Sequence, residues 1–423
     1  MIKSFKIDNF RSLNEFQLPA PGEEELGHFV CLVGLNGAGK SSVLQALDFV
    51  SQLVVGDVDA WLAARGWSKS DLTSKQGKKR NISFELRIEV AGYIFEWRAI
   101  YNSLLERCTR EDLRVAPGQG GVHPSLPTEE VIYSHDGNVF KTSGGHRRDL
   151  LSDFYGSFFA KLRSGSIEPE SHGVALSLFR LGMGGVKSLE LLNPQAMRRP
   201  SKKAVDVGLG GEDLAAFVHG LDKLEASKLN EQISKIYPHV DGVRAKSAQY
   251  GWKRLQVSEK FGSSVEFDAR HSNDGLLRVA AIVAQTVAVA PYMKRAEKDG
   301  RSLLGNPDQK GYDVLLLDEI ENGINPEVIR SLVGYLSAVR QQVVFTTHSP
   351  MILNYLEDDV ATKSVFLVFR RKDGSSGIAR FYSLPSLKGR LELMGPGEAF
   401  ADVSLTQISS DAAEAMRDID SIW

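Results

Sequence analysis

The residues best suited to chemistry lie between Gly34 and Ser42, where Gly34, Gly39, Lys40 and Ser41 match the pattern G-x-x-x-x-G-K-S. The glycines let the backbone curl so that successive N–H groups point at phosphate oxygens. The lysine reaches the β- and γ-phosphates of a nucleotide, and the serine hydroxyl is an oxygen ligand for Mg²⁺. The pattern predicts a nucleotide-binding P-loop in which Lys40 also serves catalysis, formed by Gly34, Asn36, Gly37, Ala38, Gly39, Lys40, Ser41 and Ser42.

Two carboxylates and a histidine are a second group of residues that could take part in a reaction. Asp318 and Glu319 directly follow one apolar run, and His348 follows another. We expect Asp318 to hold Mg²⁺ opposite Ser41, directly or through water. Glu319 points elsewhere and can orient or deprotonate the attacking water, so it is the predicted catalytic base. Because His348 also stands at a strand end, we expect it to contact the γ-phosphate.

The elements that must position these residues are strands of a parallel sheet. An apolar run over residues 29–33 predicts a buried strand before the glycine turn, and a helix is predicted from Lys40. Buried strands are also predicted over residues 311–319, ending in the two carboxylates, and from 342 to His348, with a helix over 326–339 between them. Because such sheets place their sites at the carboxyl ends of the strands, the glycine turn, the carboxylates and the histidine are expected at one edge.

Length and composition describe a large globular chain without specialised surface charge. The chain has 423 residues, 42% hydrophobic and 25% charged, with a formal charge of −2, which argues against a surface devoted to nucleic acid. Its two cysteines, Cys31 and Cys108, are too few for a disulfide framework or a metal cluster. No apolar stretch is long enough for a membrane span. These features predict a cytoplasmic protein.

The remaining sequence predicts the layout of the chain. Residues 81–90 and 93–101 alternate between apolar and polar types, which indicates an antiparallel hairpin. We predict an α/β P-loop NTPase fold with a mixed, largely parallel core sheet, an antiparallel β lobe and a helical insertion. The expected divisions are 1–101 for the P-loop and β lobe, 102–265 for the insertion, and 266–423 for the rest of the ATPase head.

Four segments of the chain resemble the ABC-type ATPase heads of the SMC, RecF and Rad50 kind. The similarity is greatest to stand-alone ATPases related to the OLD family, of the AAA15 and AAA21 types, many of which serve in bacterial anti-phage systems. The matching segments are residues 9–12, 34–42, 318–326 and 346–350. A fifth segment, residues 271–278, is similar to the family signature Ser-Asp-Gly-Thr-Leu-Arg.

The resemblance implies a homodimer in which each nucleotide lies between the P-loop of one subunit and the signature of the other. It implies nucleotide contacts for Arg11 and, across the dimer, for Ser272 or Asn273, Gly275 and Asn325. Asn273 stands where the family has serine, with Ser272 one place earlier, and Asn325 stands where the family usually has aspartate. The glutamine that links nucleotide to the insertion in these proteins has no identified counterpart.

Three functions remain open at this stage. The first is an ATP-hydrolysing, dimerising switch that controls a separate nuclease or toxin in phage defence, since no nuclease-like carboxylate array follows residue 351. The second is a DNA-repair ATPase that clamps DNA, and the third is a nucleotide-dependent assembly scaffold. A net charge of −2 weighs against a dedicated DNA clamp, and the presence of Glu319 weighs against an inactive scaffold. Higher oligomers and nucleic-acid contact are compatible with all three.

Overall fold

The computed structural model describes residues 1–55, 58–77, 79–118, 129–137, 139–142, 147–149, 154–162, 170–261, 263–288, 314–387 and 389–420. The chain divides into two compact units. The first comprises Met1–Val186, Asp359–Leu393 and Asp402–Trp423, and the second comprises Lys187–Asp358 and Met394–Ala401. The P-loop segment belongs to the first unit, whereas Asp318, Glu319 and His348 belong to the second.

An antiparallel sheet of eight strands forms much of the first unit, in the spatial order β2-β1-β4-β5-β6-β7-β8-β9. The strands are β1 (Ile2–Asp8), β2 (Phe16–Leu18), β4 (Asn81–Val90), β5 (Tyr93–Asn102), β6 (Arg107–Pro117), β7 (Val131–Asp136), β8 (Val139–Thr142) and β9 (Arg147–Asp149). Along β4 and β5 every second residue is buried, as the alternation of apolar side chains requires. The predicted hairpin is confirmed, with Val90 opposite Tyr93.

Aromatic packing joins one face of this sheet to helices. Trp97 on β5 makes an edge contact with Phe179, and Tyr101 makes one with Phe49. All four side chains are buried. Phe49 lies on the helix that follows the P-loop, so the sheet and that helix share one hydrophobic core.

A second sheet of the first unit carries the P-loop. In it β3 (Phe29–Val33) lies parallel to β16 (Val365–Arg370), which pairs antiparallel with β17 (Ser376–Arg380). All five residues of β3 are buried, as the unbroken apolar run predicts. The helices of this unit are α1 (Lys40–Val55), α2 (Val58–Ala64), α3 (Phe158–Lys161), α4 (Glu170–Gly184), α11 (Asp358–Ser364, which begins at the boundary) and α13 (Leu405–Asp420).

The second unit contains two groups of strands. β14 (Val314–Leu317) and β15 (Gln342–Thr346) pair in parallel, with β10 (Val186–Leu189) beside β14. A separate antiparallel sheet contains β11 (Val240–Ser247), β12 (Lys253–Phe261) and β13 (Ser263–Asp268). The helices are α5 (Pro194–Met197), α6 (Leu214–Gly220), α7 (Lys223–Ile236), α8 (Asp274–Val287), α9 (Pro326–Ala338), α10 (Pro350–Leu353) and α12 (Pro396–Ala401).

Within the described residues of the stretch expected to be a helical insertion, 102–265, strands β6 to β12 and the start of β13 lie among the helices. Strands β6 to β9 continue the antiparallel sheet begun by β1, β4 and β5, so that sheet runs across residue 102. The two compact units likewise divide the chain near Val186 and Asp358. None of the described helices is both long enough and apolar enough to cross a bilayer.

Candidate functional site

The P-loop connects β3 to α1 through a turn whose glycines take backbone conformations that side chains disfavour. Gly34, Gly37 and Gly39 have φ of 145°, 74° and 109°. A Cβ atom at Gly34 would lie 2.1 Å from the carbonyl oxygen of Val368 on the neighbouring strand, and one at Gly39 would lie 2.2 Å from Ser376 Oγ. The glycines are required because the loop curls tightly against β16 and the start of β17.

Side chains distant in the sequence fix the shape of this loop. Ser376 is buried, and its hydroxyl donates to the carbonyl of Ala38 at 2.6 Å, while its oxygen can accept from the Ser12 hydroxyl, whose Oγ lies 2.9 Å away. Arg370 Nε donates to the carbonyl of Gly37 at 2.8 Å. Sequence reasoning did not identify Ser376 or Arg370, because each acts on the loop from more than 300 positions away.

Lys40 stands at the first position of α1 and is buried. Its ammonium donates to the carbonyls of Gly34 at 2.9 Å and Leu35 at 3.2 Å, so the side chain folds back over the loop. Ser41 is half-buried and Asn36 is exposed at the rim. A curled backbone, a buried lysine and the amino end of a 16-residue helix are the donors that a triphosphate requires. The residues present fit the predicted nucleotide.

Arg11 is held beside this helix in a strained backbone conformation. Its φ is 52°, and its guanidinium lies 4.1 Å from the ring centre of Trp67. The same guanidinium donates to Gln45 Oε1 on α1. Stacking and hydrogen bonding therefore hold the Arg11 charge against α1, the helix that follows the P-loop, and its nucleotide contact stays a prediction.

In the second unit, β14 ends at Leu317 and the two predicted carboxylates follow at once. The parallel neighbour β15 ends at Thr346, whose hydroxyl donates to Asp318 Oδ1. The same hydroxyl oxygen accepts the backbone N–H of Glu319 at 2.8 Å. Thr346 thus links the two strand ends and orients one carboxylate oxygen of Asp318.

Glu319 has the features of a positioned base. Its φ is 48°, which is uncommon for a residue with a side chain and is found often at functional sites. Its carboxylate lies 3.1 Å from His348 Nε2 and also accepts a hydrogen bond from Asn322 Nδ2. The structure therefore brings together Glu319 and His348, which lie on adjacent parallel strand ends and remain partly exposed.

Glu321 is a site residue that sequence reasoning did not single out. Its Oε1 accepts the backbone N–H of His348 at 2.7 Å and the hydroxyl of Thr347 at 3.0 Å. This carboxylate fixes the backbone that carries His348. The only sequence signal was its place in the acidic run after β14, which does not reveal that Glu321 faces the neighbouring strand end.

The signature segment, residues 271–278, has its two candidate polar residues in different surroundings. Ser272 is buried, and its carbonyl accepts a hydrogen bond from Arg198 at 2.7 Å. Asn273 is exposed, and its Oδ1 caps α8 by accepting the N–H of Leu276 at 2.7 Å. Asn273 is therefore the residue that presents a polar side chain at the start of α8.

Gly275 and Asn325 also have defined local roles in the second unit. A Cβ at Gly275 would lie 2.9 Å from the carbonyl of Gly323 and 3.1 Å from Tyr237 Oη, so this position tolerates no larger residue without rearrangement. Asn325 caps α9 by accepting the N–H of Glu327 at 3.1 Å. The predicted contacts of these residues across a dimer stay predictions.

Two protein-family models match the chain. The family described as "AAA domain, putative AbiEii toxin, Type IV TA system" matches residues 136–354, just over half of the chain. The family described as "AAA ATPase domain" matches residues 1–111, which include the P-loop.

Relatives of known name match parts of the chain. The OLD nuclease of Thermus scotoductus is 40% identical over 67 residues, which are 16% of this chain and 10% of that protein. The methionine import ATP-binding protein MetN 2 of Paraburkholderia xenovorans is 23% identical over 247 residues, 56% of this chain and 57% of that protein. The chain thus spans between a tenth and about three fifths of these relatives.

Solved structures similar to the chain include SMC heads at low sequence identity. The SMC head domain from Thermotoga maritima has a TM-score of 0.44 and 12% identity, covering 90% of this chain and 98% of that one. An Smc head bound to the C-winged helix domain of ScpA has a TM-score of 0.49 and 13% identity, covering 89% and 97%.

The family matches confirm the resemblance to ABC-type, SMC-like ATPases and the P-loop NTPase fold of that head type that the sequence predicted. Because the longer match covers more than half of its residues, the chain belongs to the AAA domain family described as putative AbiEii toxin of a type IV TA system.

Proposed function

We propose that this chain binds ATP with Mg²⁺ and hydrolyses it. The observation that carries the proposal is the shape of the loop between β3 and α1, whose curvature needs glycine at Gly34 and Gly39. A loop of this shape directs backbone N–H groups at one point, and the amino end of α1 adds a positive field there. Membership of an AAA family supports a triphosphate as the ligand.

Lys40 and the proposed Mg²⁺ ligands have separate parts in binding the nucleotide. Lys40 compensates the charge of the triphosphate once it exchanges its loop carbonyl partners for phosphate oxygens. Ser41, next to it at the start of α1, offers a hydroxyl oxygen to Mg²⁺, and the sequence pattern after β14 proposes Asp318 as a carboxylate ligand of Mg²⁺. Bound Mg²⁺ would neutralise charge that develops on the phosphate oxygens.

Glu319 is proposed as the general base of hydrolysis. A carboxylate held by His348 and Asn322 is fixed in orientation, and its partial exposure lets a water molecule approach it. Glu319 accepts the proton of that water, while His348, whose backbone is held by Glu321, keeps the carboxylate in place.

The biological role proposed here is a dimerising switch that controls a separate nuclease or toxin, as in anti-phage defence. Asn273, exposed at the start of α8, supplies a polar group that a second subunit could present to nucleotide. Its Oδ1 is engaged in the cap, whereas its amide Nδ2 can donate to a phosphate oxygen held by another chain, beside the positive amino end of α8. The family description, which names a putative toxin of a TA system, agrees with a role in such two-component systems.

Lys40→Ala tests the proposed activity. Loss of the ammonium should weaken ATP binding by tenfold or more, since charge-assisted hydrogen bonds contribute roughly 1.5–3 kcal/mol. Binding is measured by calorimetry and turnover by phosphate release. Lys223→Ala, which removes an exposed lysine at the start of α7, is the matched control and should behave as the wild type. Unchanged binding in Lys40→Ala would refute the site.

A further inference from the structure

The turn between β11 and β12 presents aromatic side chains to solvent. Tyr250 is 87% exposed and Trp252 is 41% exposed. Tyr250 has φ of 57°, a conformation that is rare for a bulky residue. These rings at the tip of the hairpin are therefore not buried in the chain's own core, and a partner can reach them.

A basic loop is tied to this aromatic turn. Ser201 and Lys253 exchange two backbone hydrogen bonds, of 3.1 and 2.8 Å, which fix residues 198–203 beside the hairpin. The ammonium of Lys202 lies 4.9 Å from the ring centre of Trp252. The loop and the turn thus form one surface, which we call the basic-aromatic surface, with the cations Arg198, Arg199, Lys202, Lys203, Arg244, Lys246, Lys253 and Arg254.

The basic loop and the hairpin contain no carboxylates near the turn. No Asp or Glu occurs between Glu190 and Asp206, or between Asp241 and Glu259, although the whole chain has more acidic than basic residues. Lys246 and Arg254 face each other directly across β11 and β12, and like charges in that position are unfavourable. The two segments therefore carry an excess of positive charge in the sequence.

Some of these cations have partners within the unit. Arg198 pairs with Asp274 at 2.6 Å, and Lys246 pairs with Glu266 of β13. Burial of Asp268, also on β13, opposes its ionisation, but hydrogen bonds from Arg270 lower its pKa, and the charge of Arg254 adds to that lowering. Arg199, Lys202 and Lys203 are exposed and form no ion pair with any residue that the structure describes. These three, with Lys253 beside the turn, leave the surface positive.

We propose that the basic-aromatic surface binds single-stranded nucleic acid. Such binding combines cations that follow the phosphate backbone with aromatic rings on which unpaired bases stack. Two rings at a hairpin tip can stack on splayed bases but cannot reach bases paired inside a duplex. The surface lies within the second unit and uses none of the residues assigned to ATP, so the inference goes beyond the proposed function.

The test is fluorescence anisotropy with the full chain and a labelled oligo(dT) or oligo(rU) of about 20 nucleotides, longer than one binding site. Tyr250→Ala with Trp252→Ala should weaken binding roughly tenfold or more, as loss of base stacking predicts. Tyr250→Phe keeps the ring and should bind as the wild type. Since Tyr250 is almost fully exposed, Tyr250→Ala alone should leave the fold intact and still weaken binding.

Charge is tested separately through salt dependence. Lys202→Ala with Lys203→Ala should reduce the slope of log K against log salt by roughly 1.4, two contacts at about 0.7 each. The matched control, Lys223→Ala with Lys228→Ala, removes two exposed lysines of α7 and should leave the slope unchanged.

Three results would overturn the proposal: no binding by the wild type, equal losses in the control pair, or a duplex of the same length that binds as tightly and is indifferent to the aromatic changes. Acidic phospholipid vesicles that displace the oligonucleotide and bind in the same aromatic-dependent way would also overturn it, in favour of a membrane surface. Lys40→Ala should bind the oligonucleotide normally, so failure of the ATPase proposal would be seen independently.

Discussion

At the scale of single residues, the site depends on carboxylates whose surroundings differ although they are neighbours in sequence. Asp318 accepts a hydroxyl hydrogen bond from Thr346, while Glu319 turns to meet His348 through a backbone with positive φ. Glu321 turns back to the backbone of His348. Three acidic residues within four positions thus have three different hydrogen-bond partners, because the chain turns after β14.

Glu319→Gln should separate nucleotide binding from hydrolysis. The amide keeps the size of the side chain and can still contact His348, but it cannot accept a proton from water. Hydrolysis should therefore slow by roughly 10² to 10⁴ while ATP binding is retained. Phosphate release and calorimetry measure the two effects. Glu327→Gln, on the exposed first turn of α9, is the control, and an unimpaired Glu319→Gln enzyme would exclude this base.

Sequence reasoning at this scale placed polar side chains at the ends of apolar runs, and their catalytic roles stay predictions. Glu319 and His348 were predicted from strand ends, and the structure brings them to 3.1 Å. It did not find Thr346, Glu321 or Ser376, which work through hydrogen bonds to groups distant in sequence. A threonine at the end of one buried strand and a serine at the start of a distant strand carry no local signal, because the fold decides which groups they contact.

At the scale of elements, the P-loop is shaped by the strand beside it. Gly34 has no room for a side chain because the carbonyl of Val368 on β16 occupies that space. The parallel pairing of β3 and β16, with Leu32 opposite Phe366, sets this distance. The loop is therefore a property of two strands rather than of its own sequence alone.

Gly34→Ala should distort the loop. The added Cβ would have to move away from a backbone oxygen 2.1 Å distant, so β3 must shift and ATP binding should fall by at least tenfold, with a lower melting temperature. Gly22→Ala is the control, because Gly22 also has positive φ but its Cβ would meet nothing within 4 Å. That variant should lose only about 1 kcal/mol of stability and keep its ATP binding. Equal binding by both variants would contradict the steric argument.

Strands were predictable where burial follows a simple alternation. The bounds of β3 and β4 agree with the sequence prediction, whereas β6 escaped it. Within β6 the buried positions pass from Cys108 to Glu111, a spacing of three, because the pairing register shifts beside Ile100. One of those buried positions is also a glutamate. A bulge and a buried charge remove the apolar alternation on which sequence reasoning depends.

At the scale of the whole molecule, the buried Glu111 should make stability depend on pH. Its carboxylate accepts the N–H of Phe158 at 2.6 Å and the hydroxyl of Ser157, which ties α3 to β6. Burial raises the pKa of Glu111 from 4.5 to about 8. Between those values the folded chain keeps a proton that the unfolded chain has released, so the free energy of unfolding should fall by about 1.4 kcal/mol per pH unit as pH rises.

Glu111→Gln should remove this decline and be the more stable form near pH 8. The amide can accept from Phe158 and donate to Ser157 without carrying a charge. Urea unfolding between pH 6.5 and about 8 measures the slope, with Glu24→Gln, which makes the same change at an exposed glutamate, as the control. Burial also lowers the pKa of His135 from 6.5. The free energy of unfolding should therefore fall as pH drops below 6.5, so the slope caused by Glu111 is measured above that pH. Identical slopes in Glu111→Gln and the wild type would contradict it.

ATP-dependent self-association is the remaining property of the whole molecule. If two subunits share each nucleotide, a chain that cannot hydrolyse ATP should accumulate as the dimer, so Glu319→Gln should show more association with ATP than the wild type in sedimentation velocity. Adding Asn273→Trp should abolish that gain, because the exposed start of α8 would then carry a bulky ring where a second subunit must approach.

The loss of a helix cap must be separated from the steric block. Asn273 caps α8, and losing a cap costs about 1 kcal/mol. Asp222→Trp in the Glu319→Gln background removes the cap of α7 instead and should leave association intact. Association that persists in Asn273→Trp, or that disappears equally in Asp222→Trp, would show that the start of α8 is not the surface through which two subunits meet.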